Sequence, residues 1–127
     1  MINNFLIINF IGQDDKLGLR INKDFFIHVI KKENRMNETL VSEVLEFLLK
    51  HKVKIDQNFS VIVNQGPGSF SGVRIALAVA KGLEISNKIK LFGFRNTDLK
   101  QFDLENIERL FNKKLIEKKL IKPIYLS

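Results

Sequence analysis

A chain of 127 residues, 45% hydrophobic and 28% charged, has the balance of one folded domain: too apolar for a disordered chain and too interrupted by charge for a membrane protein. It contains no cysteine, which excludes disulfides, thiolate metal sites and cysteine nucleophiles together. Its formal net charge of +7 admits a nucleic-acid partner, because lysines that neutralise phosphates release counterions, but lysine is scattered along the chain and a solvated surface is the simpler account.

Residues 5–10 (FLIINF) form an apolar run with β-branched content, residues 16–21 alternate Leu17, Leu19 and Ile21 with polar or small residues, and residues 25–30 are apolar again. The three read as strands. The apolar stretch 5–11 is broken by Asn9 and falls far short of the roughly 20 residues of a membrane span. Residues 1–4 carry no positive charge and no small-residue cleavage site follows, so the chain reads as cytoplasmic. Turn-forming clusters, GQDD at 12–15 and NKD at 22–24, predict an antiparallel meander. Leu40, Val41, Val44, Leu45, Leu48 and Leu49 then recur at helical spacing, predicting a helix to about His51 that Asn37 or Glu38 starts. Residues 59–64 (FSVIVN) predict a strand buried on both faces. A glycine loop leads into a second helix from Gly72 to about Ile85, and residues 90–94 (KLFGF) predict a fifth strand. A last helix is expected from a cap at Asp103, with Leu104, Ile107, Leu110, Phe111 and Leu115 along one side, and Pro123 ends whatever precedes it. Three strands followed by helix, strand, helix, strand predict an α/β fold with a mixed five-stranded sheet, the later strands made parallel by their crossovers.

Chemistry would have to live near residues 65–82, QGPGSFSGVRIALAVAKG. Gly66, Gly68 and Gly72 permit tight turns and close approach, and the helix that follows points N–H groups back at the loop, as an anion site requires. The spacing matches neither the Walker pattern nor the dinucleotide fingerprint, however, and a plain strand-to-helix turn is favoured. Ser69 and Ser71 sit in GSFSG, which is not the nucleophile-elbow pattern, and the two histidines, His28 and His51, lie far off in sequence. Two isolated histidines and scattered carboxylates supply no paired metal-ligand spacing. Asp14 and Asp15 are adjacent carboxylates in a turn, where solvation is the usual role.

The second predicted helix is apolar round nearly its whole circumference, through Val73, Ile75, Ala76, Leu77, Ala78, Val79, Ala80, Leu83 and Ile85. A sheet covers only one side of a helix. The first helix is wide in apolar coverage too, with Phe47 added, so the pair leaves an apolar face that suggests an interface, unless the C-terminal helix covers it.

GPGSFSGVRIALAVAKGL, residues 66–83, resembles the signature of the TsaB family, also called YeaZ, in which a GPGSF(T/S)GVR loop opens a helix after the fourth strand. Residues 90–97 (KLFGFRNT) and 123–126 (PIYL) are similar to further family segments. The resemblance implies the N-terminal lobe of the ASKHA class, the ribonuclease H-like architecture of actin and hexokinase. It implies a non-catalytic subunit that binds TsaD, the enzyme that transfers threonylcarbamoyl to an adenosine of tRNA, and works with the ATPase TsaE. Members pair through the two helices, in homodimers and in the TsaD heterodimer alike. Carried over residue by residue, the loop is Gly66, Pro67, Gly68, Ser69, Phe70, Ser71, Gly72, Val73 and Arg74, and the partner-binding surface is Leu40, Val44, Phe47, Leu77, Ala78 and Lys81. No catalytic residue, metal or cofactor is implied.

Three departures qualify the resemblance. Where the family's first strand ends in Ile-Asp-Thr, this chain has Ile8, Asn9 and Phe10, so the acidic residue expected near a nucleotide phosphate is absent. A histidine common near the start of the first helix appears as Asn37. Members carry a second lobe of about a hundred residues, the size of a separate domain, whereas Thr97 here passes almost directly to the last helix. The expectation is one lobe over 1–127, a shortened form, with 103–127 as C-terminal helix and tail. Two readings compete with the docking subunit: a glycoprotease-like hydrolase, and an RNA-binding module acting through the lysine-rich run at 113–122, whose bland reading is a solvated helix face.

Overall fold

A computed structural model describes residues 4–30, 37–118 and 121–124. The elements run β1 (Phe5–Asn9), β2 (Lys16–Ile21), β3 (Asp24–Val29), α1 (Asn37–Lys50), β4 (Ser60–Asn64), α2 (Phe70–Asn87), β5 (Lys90–Phe94), a 3-10 turn at Asn96–Asp98, and α3 (Leu104–Asn112). The strands make one mixed sheet in the order β3-β2-β1-β4-β5. The meander β1 to β3 is antiparallel, and β4 joins β1 and β5 in parallel, as expected.

Local chemistry sets the turns. Asn22, at φ 56°, takes the left-handed conformation that asparagine tolerates in the two-residue β2–β3 turn, and its N–H donates to Asn4 Oδ1 at 2.8 Å, tying that turn to the residue before β1. Between β1 and β2, Asp15 Oδ1 accepts from the N–H groups of Ile11 and Gly12, both at 2.9 Å.

Because side chains alternate along a strand, β1 and β4 divide their apolar residues between two faces. Leu6, Ile8, Val61 and Val63 meet Val44 and Leu48 of α1 and Ala76, Leu77 and Ala80 of α2. Phe5, Ile7 and Ile62 meet Ile107 and Leu110 of α3 together with Phe94. The result is three layers, with all five residues of β4 buried. The C-terminal helix therefore does not cover the outer side of α1 and α2, because it lies across the opposite face of the sheet.

Two helix ends differ from expectation. α2 starts at Phe70, two residues before Gly72, because the Ser69 side chain caps it by accepting from Gly72 N at 3.3 Å. Asp103 caps α3 as expected, but the helix stops at Asn112, short of Leu115, where Lys114 turns to φ 57°. α1 begins at Asn37, and the roles read for the Asn37 and Glu38 side chains, for Lys119 in the basic run and for Tyr125 and Leu126 lie outside the described residues. Among the described residues, no helix is long and apolar enough to cross a membrane.

Candidate functional site

The glycine loop sits at the C-terminal end of β4, between β1 and β5, where its backbone is tied to both neighbours. Ser69 N donates to Ile11 O at 2.6 Å, Asn96 N to Gly66 O at 2.9 Å and Gln65 N to Phe94 O at 2.9 Å. Gly66 holds φ 94°, a conformation L side chains rarely adopt. At Gly68 a Cβ would lie 2.7 Å from Ile11 Cβ and 2.9 Å from Ile11 O, so no other residue fits without backbone movement. The peptide bond between Gly66 and Pro67 is cis. Val73 and Gly72 point into the core, while Ser71, Phe70 and Arg74 face outward, with the Arg74 guanidinium 5.0 Å from the centre of the Phe70 ring.

Behind the loop three asparagines meet. Asn64 Nδ2 donates to Asn9 Oδ1 at 2.7 Å and to Asn96 Oδ1 at 3.0 Å, and Asn64 Oδ1 accepts from Gly66 N at 2.8 Å. This is where the resemblance expects a carboxylate beside a nucleotide. A metal-bound nucleotide calls for an anionic oxygen on the cation, and the three side chains meeting here are neutral amides, each oxygen already accepting one N–H, so this cluster lacks the charge that such a site needs. Sequence reasoning noticed Asn9 but missed Asn64 and Asn96, because nothing short of the sheet order puts residues 9, 64 and 96 together.

The serines and histidines do not form a nucleophile and base. Ser69 Oγ is occupied by the helix cap and lies 3.4 Å from Ser71 Oγ. His28 Nε2 is 3.2 Å from Glu43 Oε1, and His51 stacks on Phe26 at 4.0 Å between ring centres, both at the β3–α1 edge. β3 is three strands from β4, which at about 4.8 Å per strand is roughly 14 Å. That is far beyond the reach of proton transfer. Among the described residues, no three His, Asp or Glu side chains converge as a metal would need.

The second feature is a groove between α1 and α2, about 550 Å³, lined by Val41, Val44, Leu45, Ala78, Val79, Gly82 and Leu83, with Ser86 and Asn87 at one end. Two of its apolar lining residues are well exposed, Val41 at 41% and Leu45 at 44%, and the same two helices also expose Leu49 and Ile85. Of the six residues read as partner-binding, Ala78 and Lys81 face outward. Leu40, Val44, Phe47 and Leu77 are 6% accessible or less and belong to the chain's own core. Both helices are apolar on more than one side, and the sheet covers only one of them, leaving Val41, Leu45 and Leu49 of α1 outside.

Three kinds of comparison bear on this arrangement. The family model described as TsaD, tRNA N6-adenosine threonylcarbamoyltransferase, matches residues 31–99, more than half of the chain, including the loop and α2. A protein of Buchnera aphidicola subsp. Baizongia pistaciae named tRNA threonylcarbamoyladenosine biosynthesis protein TsaB is 47% identical over 58 residues, 44% of this chain and 26% of that protein. A protein of the same name from Buchnera aphidicola subsp. Schizaphis graminum is 32% identical over 81 residues, 62% of this chain and 39% of that one. Among solved structures, YeaZ from Pseudomonas aeruginosa superposes with a TM-score of 0.68 at 18% identity, over 88% of this chain and 50% of the other, which establishes the shared fold. The chain thus matches about half of that solved chain, and smaller shares of the curated relatives.

Proposed function

We propose, from the premise that the chain belongs to the family of the TsaD-type model and within it to the TsaB (YeaZ) members, that it is a non-catalytic cytoplasmic subunit supporting the threonylcarbamoylation of tRNA adenosine. In this reading residues 1–127 act as one lobe that docks onto a TsaD-type enzyme, whose turnover a TsaE-type ATPase sustains. The observation that carries it is the apolar groove between α1 and α2. Val41 and Leu45 line it exposed, the same helices expose Leu49 and Ile85 as well, and removing such surface from water is worth about 25 cal/mol per Å². Ala78 and Gly82 keep its floor low enough for a partner helix to approach. Residues 66–74 serve this surface indirectly, as the joint that fixes the start of α2 against β1 and β5. The same groove also suits a second copy of the chain, since an isologous interface needs only one self-complementary patch.

The test uses the purified chain and the TsaD-type protein of the same organism, mixed and followed by size-exclusion chromatography with light scattering and by calorimetry. A one-to-one complex is expected, lost with Leu45→Glu or Ala78→Glu while the circular dichroism melting curve stays put. Leu77 is unsuitable as a probe, because a charge at this buried position would unfold the chain. No complex with the wild-type chain, or one indifferent to both substitutions, would refute the docking role. Complex formation that leaves the rate of tRNA modification unchanged would refute the supporting role.

A further inference from the structure

The β5 edge of the sheet is closed by the segment that follows α3. Gly93 N donates to Glu117 O at 2.9 Å and Glu117 N donates back to Gly93 O at 2.7 Å. Further along, Gln65 Nε2 donates to Lys122 O at 2.9 Å and Ile124 N to Gln65 O at 2.7 Å. The segment is thereby pinned beside the loop leaving β5, and two clefts open there. One, about 510 Å³, is lined by Arg95, Lys114 and Lys122 together with the carboxylate of Glu117, and the second, about 150 Å³, by Lys100, Arg109 and Lys113. Asp98 and Leu115 line both, so the clefts adjoin.

Arg109 is held by Glu105 at 3.1 Å. Among the described residues, no ion pair engages Arg95, Lys100, Lys113, Lys114 or Lys122, and all five are exposed. Cations lining a concavity focus a field that attracts a polyanion. Lysines 113, 114 and 122 were visible as a run in the sequence, whereas Arg95 and Lys100 join them only through the fold.

We propose that this pair of clefts binds the phosphate backbone of RNA, with Arg95, Lys100, Lys113, Lys114 and Lys122 on phosphates and Asp98 accepting from a ribose 2′-hydroxyl. The shape and the seam carry the choice of ligand. The cations ring concavities, whereas an anionic membrane meets a flat surface into which apolar groups insert. An acidic peptide would bring carboxylates against Asp98. A ribose-phosphate chain alternates anions with hydroxyl donors, so it can satisfy the cations and the carboxylate together, and the 2′-hydroxyl is the group that separates RNA from DNA. Thr97 and Asn106, also lining the smaller cleft, add neutral hydrogen-bonding groups of the kind such a chain uses.

The test needs only the isolated chain, so its failure and that of the docking role are separable. Fluorescence anisotropy would follow a labelled RNA hairpin, and a DNA hairpin of the same sequence, from about 50 to about 200 mM salt. Binding is expected to prefer RNA and to weaken with a log–log slope of about −4, as five phosphate contacts predict. Lys100→Glu with Lys114→Glu, one residue from each cleft, should reduce affinity at least tenfold and the slope by about 2, whereas Lys23→Glu with Lys54→Glu, the same charge change far from the clefts, should do neither. Asp98→Ala should narrow the preference for RNA over DNA. Absence of RNA binding at the lowest salt, or equal losses from the two lysine pairs, would overturn the site. So would vesicles containing phosphatidylserine, or a polyglutamate peptide, binding in an RNA-competent buffer when the hairpin does not.

Discussion

Gly82 lies inside α2 at a position where its own chain gains nothing from glycine. A glycine in a helix interior costs about 0.5–1 kcal/mol relative to alanine. Gly82 is exposed, has no positive φ to accommodate, and a Cβ added there meets no heavy atom within 4 Å. Gly82→Ala should therefore stabilise the isolated chain by about 0.5–1 kcal/mol, read from the urea midpoint, with a rise in Tm of about 3 °C. The position does line the groove with Val41, Leu45 and Ala78. Gly82→Leu should keep the added stability to within about 0.5 kcal/mol, since leucine is nearly as good a helix former as alanine. It should also fill the groove and lower affinity for a docked partner at least tenfold, about 1.4 kcal/mol. The two readouts refute different steps. A fall in the urea midpoint for Gly82→Ala would mean the groove is not open space, and unchanged partner affinity for a stable Gly82→Leu would mean that it is not where the partner sits.

Asn64→Ala should destabilise the chain by roughly 2–4 kcal/mol in urea unfolding, because it strands Gly66 N–H and the side-chain oxygens of Asn9 and Asn96. A loss below about 1 kcal/mol would mean that the amide cluster does not hold the loop. Ser69→Ala should lower stability by about 1 kcal/mol through the lost helix cap and leave tRNA modification in a reconstituted assay unchanged. Loss of modification with an unaltered midpoint would instead give Ser69 a chemical role and revive the hydrolase reading.

The strands and helices were legible because each carries its own period. Leu17 and Leu19 alternate, residues 61–63 are apolar without a break, and Leu40, Val44 and Leu48 recur by fours. Burial on both faces of β4 followed from that unbroken run. What the pattern could not resolve was which of several apolar faces on one helix turns inward. Leu45 and Leu48 are chemically alike, yet one is 44% accessible and the other 2%, because the sheet lies on one side alone. The α2 start was missed by two residues since Ser69 and Ser71 are both competent caps, and only the position of Gly72 N relative to Ser69 Oγ decides between them. The asparagine cluster was illegible for a different reason: Asn9, Asn64 and Asn96 are 55 and 32 residues apart and meet through strand order, which no local period encodes, whereas the basic clefts were legible in part, as the lysine run at 113–122, and gained Arg95 and Lys100 only through the fold.

Strand alternation has a last consequence for how the two surfaces relate. Leu6 and Ile8 of β1 face α1 and α2, while Phe5 and Ile7 face α3, so the sheet itself separates the groove from the helix that carries Arg109 and precedes Lys113. The groove opens on one outer layer, and the basic clefts follow the β5 edge and the end of the other. The two sets of lining residues share no member, and distant sites without common partners act nearly independently. A protein docked on α1 and α2 would leave the cations of the opposite layer open to RNA. If both surfaces bind as proposed, one lobe carries a docked protein and an RNA at the same time.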